Sequence, residues 1–159
     1  MTNYLFVMRG IPGSGKSTFV NKTFMHKATI ICPDTLRLQQ KEEKGYVSEA
    51  KIWKTTFDLL EKSLQVNKYT VLDATSTLER YLNQYNKICK QYSAQLVIIS
   101  LKDIPLEVCK KQNAKRKFSN GFVPNDVIER MYKQINFALQ GETKQYIVKH
   151  NEFNLNDYL

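Results

Sequence analysis

The sequence predicts an α/β fold in which a central parallel β-sheet of four to five strands is covered by helices on both faces. Three observations lead to this prediction. Short apolar segments alternate with longer segments of helical periodicity along the chain. A glycine-rich loop, residues 10–18, directly follows the first apolar segment. Aspartates follow the second and third apolar segments, at the strand ends where parallel sheets bind their ligands.

Five apolar segments are predicted as strands, because each is short, rich in β-branched or aromatic residues, and bounded by polar or turn residues. In chain order they cover residues 4–8, 28–32, 69–72, 95–101 and 146–148. The last segment has the weakest pattern, so the sheet is predicted with four to five strands.

Segments with apolar residues three or four positions apart are predicted as helices. They cover residues 17–26, 48–65, 78–92 and 125–139, with a helical turn starting near residue 34 and a basic helix after residue 105. The second of these helices has an apolar stripe that is interpreted as core, formed by Trp53, Phe57, Leu60 and Leu64. Residues 41–45 are polar and are predicted as a loop.

Length and composition indicate a single domain over residues 1–159, with one core and no second catalytic domain. We expect a soluble, cytoplasmic protein without a membrane partner, because no apolar run has membrane-spanning length and residues 1–10 lack a signal-peptide pattern.

The three cysteines are scattered and are interpreted as reduced structural residues. The net charge of +9 favours an anionic partner, either a free nucleotide or a nucleic acid. The oligomeric state is left open.

Residues 10–18 have the pattern of a phosphate-binding P-loop, where glycines let backbone N–H groups approach phosphate oxygens. The residues expected to bind ATP are Gly10, Pro12, Gly13, Ser14, Gly15, Lys16, Ser17 and Thr18. Lys16 would contact the β- and γ-phosphates, and the Ser17 hydroxyl would ligate the Mg²⁺ that bridges them. The loop also stands between a strand and a helix, as this chemistry requires. An ATP- and Mg²⁺-dependent phosphoryl-transfer enzyme is therefore predicted.

Asp34 and Arg37 lie three residues apart on one predicted helical turn, where their side chains can face the same space. They would pair a proton acceptor with a cation that holds an anionic substrate. The structural alternative is that Asp34 only caps the helix.

Asp73 ends the third strand in the manner of a Walker B acid, but no glutamate follows it to activate water. Hydrolysis as the main reaction is therefore disfavoured.

Five of the eight residues 110–117 are cationic, and residues 118–123 follow as a predicted mobile segment. The functional interpretation is a basic lid over about residues 110–124 that closes on ATP. Arg116, the only arginine in this stretch, would contact the transferring phosphoryl group. The alternative interpretation is a solvated lysine-rich helix.

Taken together, these elements resemble the kinase half of the phage-type 5′-polynucleotide kinases, a P-loop kinase family. The resemblance covers about four fifths of the chain. It rests on elements that follow the family's order, which are the P-loop, Asp34-x-x-Arg37, Asp73, Glu79-Arg80 and residues 123–133.

The resemblance implies transfer of the γ-phosphate of ATP to the 5′-hydroxyl end of a DNA or RNA strand, with a role in nucleic-acid repair. Asp34 would be the general base, Arg37 would bind the acceptor's 3′-phosphate, and Arg116 would be the lid arginine. Asp73 would orient Arg37 or take part in the metal shell, and Thr75 would belong to the same substrate-binding group.

The chain departs from the family in the lid, where Gln112 replaces an additional arginine and residues 117–122 form a longer segment than expected. The aspartate-based phosphatase motif of some relatives is missing, so no phosphatase domain is expected. Two other functions stay open. One is a P-loop kinase of a nucleoside, nucleotide or other metabolite, and the other is a non-catalytic, ATP-dependent nucleic-acid-binding module.

Overall fold

A computed structural model describes residues 1–116 and 121–159 and confirms an α/β fold with a five-stranded parallel sheet and helices on both faces. The strands are β1 (Tyr4–Arg9), β2 (Thr29–Ile31), β3 (Tyr69–Leu72), β4 (Gln95–Ser100) and β5 (Ile147–Lys149). The helices are α1 (Lys16–Phe24), α2 (Pro33–Lys44), α3 (Glu49–Val66), α4 (Glu79–Gln91), α5 (Leu106–Ala114) and α6 (Asn125–Ile135). Two 3₁₀ turns, Glu142–Tyr146 and Leu155–Tyr158, lie on either side of β5.

The strand order β2-β3-β1-β4-β5 places β1 at the centre of the sheet. All neighbouring strands are parallel, with Tyr4 of β1 opposite Tyr69 of β3 and Gln95 of β4. From β1 the chain passes over β3 to form β2 at the sheet edge, and after β3 it crosses to the other side of β1. Such a change of direction opens a crevice at the carboxyl ends of the strands. The P-loop and the segment after β3 both begin in this crevice.

The core has one layer on each face of the sheet, because successive side chains of β1 point to opposite faces. Leu5 and Val7 pack with residues of α3 and α4, whereas Phe6 and Met8 pack with residues of α1. All four side chains are fully buried. The central strand is therefore covered on both faces, as expected for a parallel sheet.

The C-terminal segment completes the layer on the α1 face with aromatic side chains. Phe153 and Tyr158 pack edge-to-face against Phe6, with ring centroids 5.4 Å and 5.3 Å from it. The Tyr69 hydroxyl donates a 2.6 Å hydrogen bond to the carbonyl oxygen of Tyr158. The segment after β5 is thus fixed to two strands of the sheet.

Three predicted boundaries differ from the structure by two residues or more. The first helix ends at Phe24 instead of residue 26. Residues 41–45 form the end of α2 rather than a loop, because lysine and glutamate favour helix and only Gly45, at φ 77°, ends it in the left-handed conformation. The last long helix ends at Ile135 instead of residue 139. Its C-cap residue, Asn136, donates a side-chain hydrogen bond to the Tyr132 carbonyl and competes with the helical backbone there.

Part of the predicted lid, residues 117–120, lies outside the described residues. Within the rest of the chain, the structure contains no helix with both the length and the apolar character needed to cross a membrane.

Candidate active site

The P-loop connects β1 to α1 and contains two glycines with left-handed backbone conformations. Gly13 has φ 85° and Gly15 has φ 95°. A Cβ atom at Gly13 would lie 2.1 Å from the Cys109 carbonyl oxygen, so the loop packs directly against the backbone of α5. A Cβ atom at Gly15 would have no described atom within 4 Å. The side of the loop at Gly15 therefore faces open space, as a loop that binds phosphate requires.

The start of the P-loop is bonded to the segment that follows β3. The Gly10 N–H donates to the Thr75 carbonyl at 3.0 Å. The buried Arg9 side chain donates to the carbonyls of Ser76 and Thr77, at 3.1 and 3.2 Å. Burial lowers the pKa of Arg9, and the nearby Glu79 charge opposes this effect. These bonds fix the distance between the P-loop and the segment that begins with Asp73.

Ser17 and Asp73 are joined across the crevice, where the Ser17 hydroxyl donates a 2.9 Å hydrogen bond to Oδ2 of Asp73. Burial raises the pKa of Asp73, whereas the Ser17 hydrogen bond and the Lys16 charge lower it. Burial likewise lowers the pKa of Lys16, and the charges of Asp73 and Asp34 oppose that change. A hydroxyl and a carboxylate are oxygen donors of the kind that Mg²⁺ prefers, so these residues fit the predicted ion.

Asp34 and Arg37 contact each other in the first part of α2, where Arg37 Nη1 donates to Asp34 Oδ1 at 2.5 Å. Asp34 is not the N-cap of the helix, because that position is Cys32. Its side chain is 78% exposed, so one carboxylate oxygen can still contact a substrate. The predicted pair is thus present as an ion pair, and the capping alternative does not describe this geometry.

Glu49, at the start of α3, is a further partner of Arg37 that the sequence analysis did not predict. Its carboxylate accepts hydrogen bonds at 2.9 Å from both Nε and Nη2 of Arg37. Burial lowers the pKa of Arg37, but the hydrogen bonds and charges of Glu49 and Asp34 outweigh it and raise the pKa overall. No local pattern indicates this pairing, because it depends on how α2 packs against α3.

One pocket of about 640 Å³ contains most of the predicted site residues. They line it from the P-loop, the starts of α1 and α2, the end of β3 and the end of α5, and they are Pro12, Gly13, Gly15, Lys16, Ser17, Asp34, Arg37, Asp73, Thr75 and Arg116. Gly10, Ser14 and Thr18 are not part of its wall. The N–H groups of Gly10 and Ser14 bond the carbonyls of Thr75 and Ile11, so these two residues shape the loop.

Part of the pocket lining is apolar. It consists of Leu38, Val47, Trp53, Val123, Val127 and Met131, and Lys41 also lines the pocket. Trp53 was interpreted as core from its helical spacing, and it does pack against the core while also lining the pocket. An apolar wall next to cations suits a ligand with both flat apolar and anionic parts.

The two ends of the predicted lid are clamped together by a buried asparagine. Asn113 Nδ2 donates to the Val123 carbonyl at 2.6 Å, and the Val123 N–H donates to Asn113 Oδ1 at 3.0 Å. Lys110 is bonded to Glu129 of α6 at 2.7 Å rather than facing the pocket. Arg116 lines the pocket, and its charge acts on Lys16 and Asp73. The extra length predicted for residues 117–122 falls largely on residues outside the described part.

Comparison with known proteins identifies the family of the chain. A family model described as AAA domain matches residues 5–138. A chain in the Pnkp1/Rnl/Hen1 RNA repair complex superposes with a TM-score of 0.67 and 24% identity, over 84% of this chain and 44% of that chain. The present chain thus spans less than half the length of that relative.

Two small-molecule kinases have the same fold. A gluconokinase from Sinorhizobium meliloti 1021 gives a TM-score of 0.57 at 14% identity, over 92% of this chain and 81% of that chain. The APS kinase CysC from Mycobacterium tuberculosis, in complex with AMPPNP and APS, gives 0.53 at 21% identity, over 74% and 72% of the two chains. The chain therefore has a P-loop kinase-like fold. At these sequence identities, the similarity shows a shared fold and nothing more.

Proposed function

Because the chain belongs to the AAA domain family and has a kinase-like fold, we propose that it is an ATP-dependent kinase of polynucleotide 5′-hydroxyl ends. The observation that carries this proposal is a pocket that is lined by Lys16 and Ser17 as well as by Asp34 and Arg37. A phosphoryl-transfer site needs both halves, one for the donor phosphates and one for the acceptor hydroxyl.

On the donor side, Lys16 and the P-loop would bind the β- and γ-phosphates of ATP. Ser17 and Asp73 would hold Mg²⁺, either directly or through water, and the ion would neutralise phosphate charge when bound. Arg116 would add a second cation near the transferring group, a contribution that can reach about three to five orders of magnitude in rate in related chemistry.

On the acceptor side, Asp34 would accept the proton of the attacking hydroxyl. The hydroxyl oxygen would form a bond to the γ-phosphorus as the bond from that phosphorus to the departing ADP oxygen breaks. Arg37 bonds Oδ1 of Asp34, and among the described residues Oδ2 has no hydrogen-bond partner. Oδ2 would therefore be the proton acceptor. A general base of this kind contributes roughly two to four orders of magnitude in rate.

The acceptor end of the pocket favours a nucleotide over a small polar metabolite. Arg37 has five N–H donors, and the two carboxylates accept from three different nitrogens, so among the described residues two N–H groups are left to bind a phosphate. Leu38 and Val47 form an apolar wall nearby. A sugar acid would place its hydroxyl groups against this wall without hydrogen bonds, which costs binding energy. The net charge of +9 also suits a polyanion.

The proposal is tested by incubating the protein with Mg·ATP and a panel of acceptors. The panel contains 5′-hydroxyl DNA and RNA oligonucleotides, nucleosides and gluconate, with Lys16→Ala as the blank. We expect transfer to an oligonucleotide, and we expect Asp34→Asn to lower kcat by about two to four orders of magnitude while ATP binding is retained. Transfer to a small metabolite alone would contradict the proposal. Intact acceptors together with ATP-dependent oligonucleotide binding would instead support a binding module.

A further inference from the structure

Trp53, which lines the pocket, belongs to an aromatic pair built from two helices. Trp53 on α3 and Tyr81 on α4 lie nearly parallel, with an angle of 5° between the rings and 6.1 Å between their centroids. The exposed Arg80 guanidinium lies 5.2 Å from the centroid of the Tyr81 ring. Both helices begin at the carboxyl edge of the sheet, because each returns the chain to the start of the next parallel strand. The pair therefore lies near the carboxyl edge of the sheet, where the pocket also lies.

Trp53 differs from the rest of the stripe in which it stands. Leu60 and Leu64, further along α3, are completely buried under the sheet. Phe57 and Trp53 are only half-buried, and Trp53 is the one of the four that lines the pocket. A side chain that served the core alone would gain more from full burial. The exposed part of the indole is instead available to a ligand.

The other residues that line this pocket indicate what kind of ligand this would be. Val47 and Leu38 add apolar surface, whereas Arg37 and Lys41 bring positive charge to the same pocket. A planar apolar group attached to phosphate matches both features. Nucleobases stack on aromatic side chains in this way, largely independently of their sequence.

We propose that Trp53, held parallel to Tyr81, forms a stacking platform for one nucleobase near the 5′ end of the acceptor strand. This inference rests on the polynucleotide acceptor proposed above. It adds a site that binds one base by stacking, whichever base is present. Tyr81 acts by fixing the orientation of the indole, and Arg80 fixes Tyr81 through its contact with the ring. The platform would hold the strand so that its terminal hydroxyl faces Asp34.

Trp53 is the only tryptophan of the chain, so its fluorescence reports on this position alone. We would titrate the wild-type protein, without ATP, with 5′-hydroxyl oligonucleotides that carry one abasic nucleotide at the first, second or third position. All of these oligonucleotides carry the same number of phosphates, so they differ only in the missing base. We expect quenching by the intact oligonucleotide, and an apparent affinity about 5- to 150-fold weaker when one particular base is removed. Equal titration curves for intact and abasic strands would overturn the platform.

Substitutions of Trp53 give an independent test, because the KM for the oligonucleotide and the KM for ATP are measured separately. Trp53→Leu should raise the KM for the oligonucleotide about 5- to 150-fold and leave the KM for ATP unchanged, whereas Trp53→Phe should keep most of the affinity. Thermal unfolding of each variant identifies losses caused by misfolding. If Trp53→Leu raises the KM for ATP instead, or if ADP alone quenches the indole, the platform binds the donor base and the proposal is wrong.

The outcomes also separate this inference from the proposed function. Base-dependent quenching without any phosphate transfer would contradict the kinase function and leave the platform intact. Phosphate transfer to oligonucleotides that is insensitive to abasic positions and to Trp53→Leu would contradict the platform and leave the kinase function intact.

Discussion

Asp73 is a carboxylate whose position suits ligand binding more than the stability of the free protein. It is 8% exposed, and burial raises its pKa above the ordinary value of 3.8 despite the Ser17 hydrogen bond. The folded state therefore binds the proton more tightly than the unfolded state does. The contribution of this group to stability falls as the pH rises from about 4 through the raised pKa, and at neutral pH the charged form opposes folding.

We therefore predict that Asp73→Asn raises the Tm of the free protein at pH 7 and lowers kcat by about two to three orders of magnitude. Asparagine can still accept the Ser17 hydrogen bond but carries no charge to desolvate. Calorimetry at pH 4 and pH 7 provides the internal control, because the difference in Tm between the two proteins should shrink at the lower pH. A variant that is less stable at pH 7 would show that the charge of Asp73 stabilises the fold.

Positions that follow from local sequence could be predicted, and contacts that depend on packing could not. The positions of Lys16, Ser17 and Asp34 follow from a motif or from adjacency to a strand. Glu49 pairs with Arg37 from another helix, and nothing in the sequence around Glu49 indicates that contact. For Trp53 the helical period correctly predicted contact with the core, but it gave no information about the pocket at the end of the stripe.

At the level of elements, one buried side chain joins the two ends of the predicted lid. Asn113 is fully buried and satisfies both the N–H and the carbonyl of Val123. It thereby joins the end of α5 to the segment that leads into α6. The ion pair between Lys110 and Glu129 connects the same two helices on the surface, where it is screened by solvent.

We predict that Asn113→Ala destabilises the protein by about 1–3 kcal/mol, because it leaves two partly buried backbone groups of Val123 without these partners. The KM for ATP should rise, since Arg116 follows Asn113 closely in the chain. Thermal unfolding measures the loss of stability, and amide exchange at Val123 measures the loss of the hydrogen bonds to Asn113. Lys110→Ala is the matched control on the same helix and should change the Tm little. Unchanged exchange at Val123 in Asn113→Ala would contradict the clamp.

Helices and strands were largely predictable because the apolar period differs between them. The exceptions are ends of helices. Residues 41–44 are all charged, a composition typical of loops, although lysine and glutamate are good helix formers and continue α2 to its glycine cap. The end of α6 at Ile135 depends on the hydrogen bonds of Asn136, which apolar spacing does not reveal.

For the whole molecule, the positive net charge and the cations that line the pocket, which are Lys16, Arg37, Lys41 and Arg116, predict electrostatic binding of the acceptor. If two to three phosphates are neutralised, raising the salt concentration from about 50 to 200 mM should weaken oligonucleotide binding roughly tenfold. Fluorescence anisotropy of a labelled strand measures this slope. An oligonucleotide with a neutral methylphosphonate backbone is the control and should bind weakly at both concentrations. Salt-independent binding of the charged strand would show that phosphate contacts contribute little.

The overall topology brings the site together from distant parts of the sequence. The alternation of strands and helices predicted the parallel sheet, and the parallel sheet predicted that the P-loop, Asp34 and Asp73 would meet at one edge. Their presence around one pocket agrees with that reasoning. The C-terminal aromatic layer was not predicted, because Phe153 and Tyr158 have no periodicity and reach Phe6 only through the return of the chain after β5.

The contact between Gly13 and the Cys109 carbonyl has a mechanical consequence. A single methyl group would not fit between the two backbones, so the P-loop and α5 are in direct backbone contact. Any side chain larger than hydrogen at residue 13 would push α5 away from the loop, and the segment that carries Arg116 directly follows that helix.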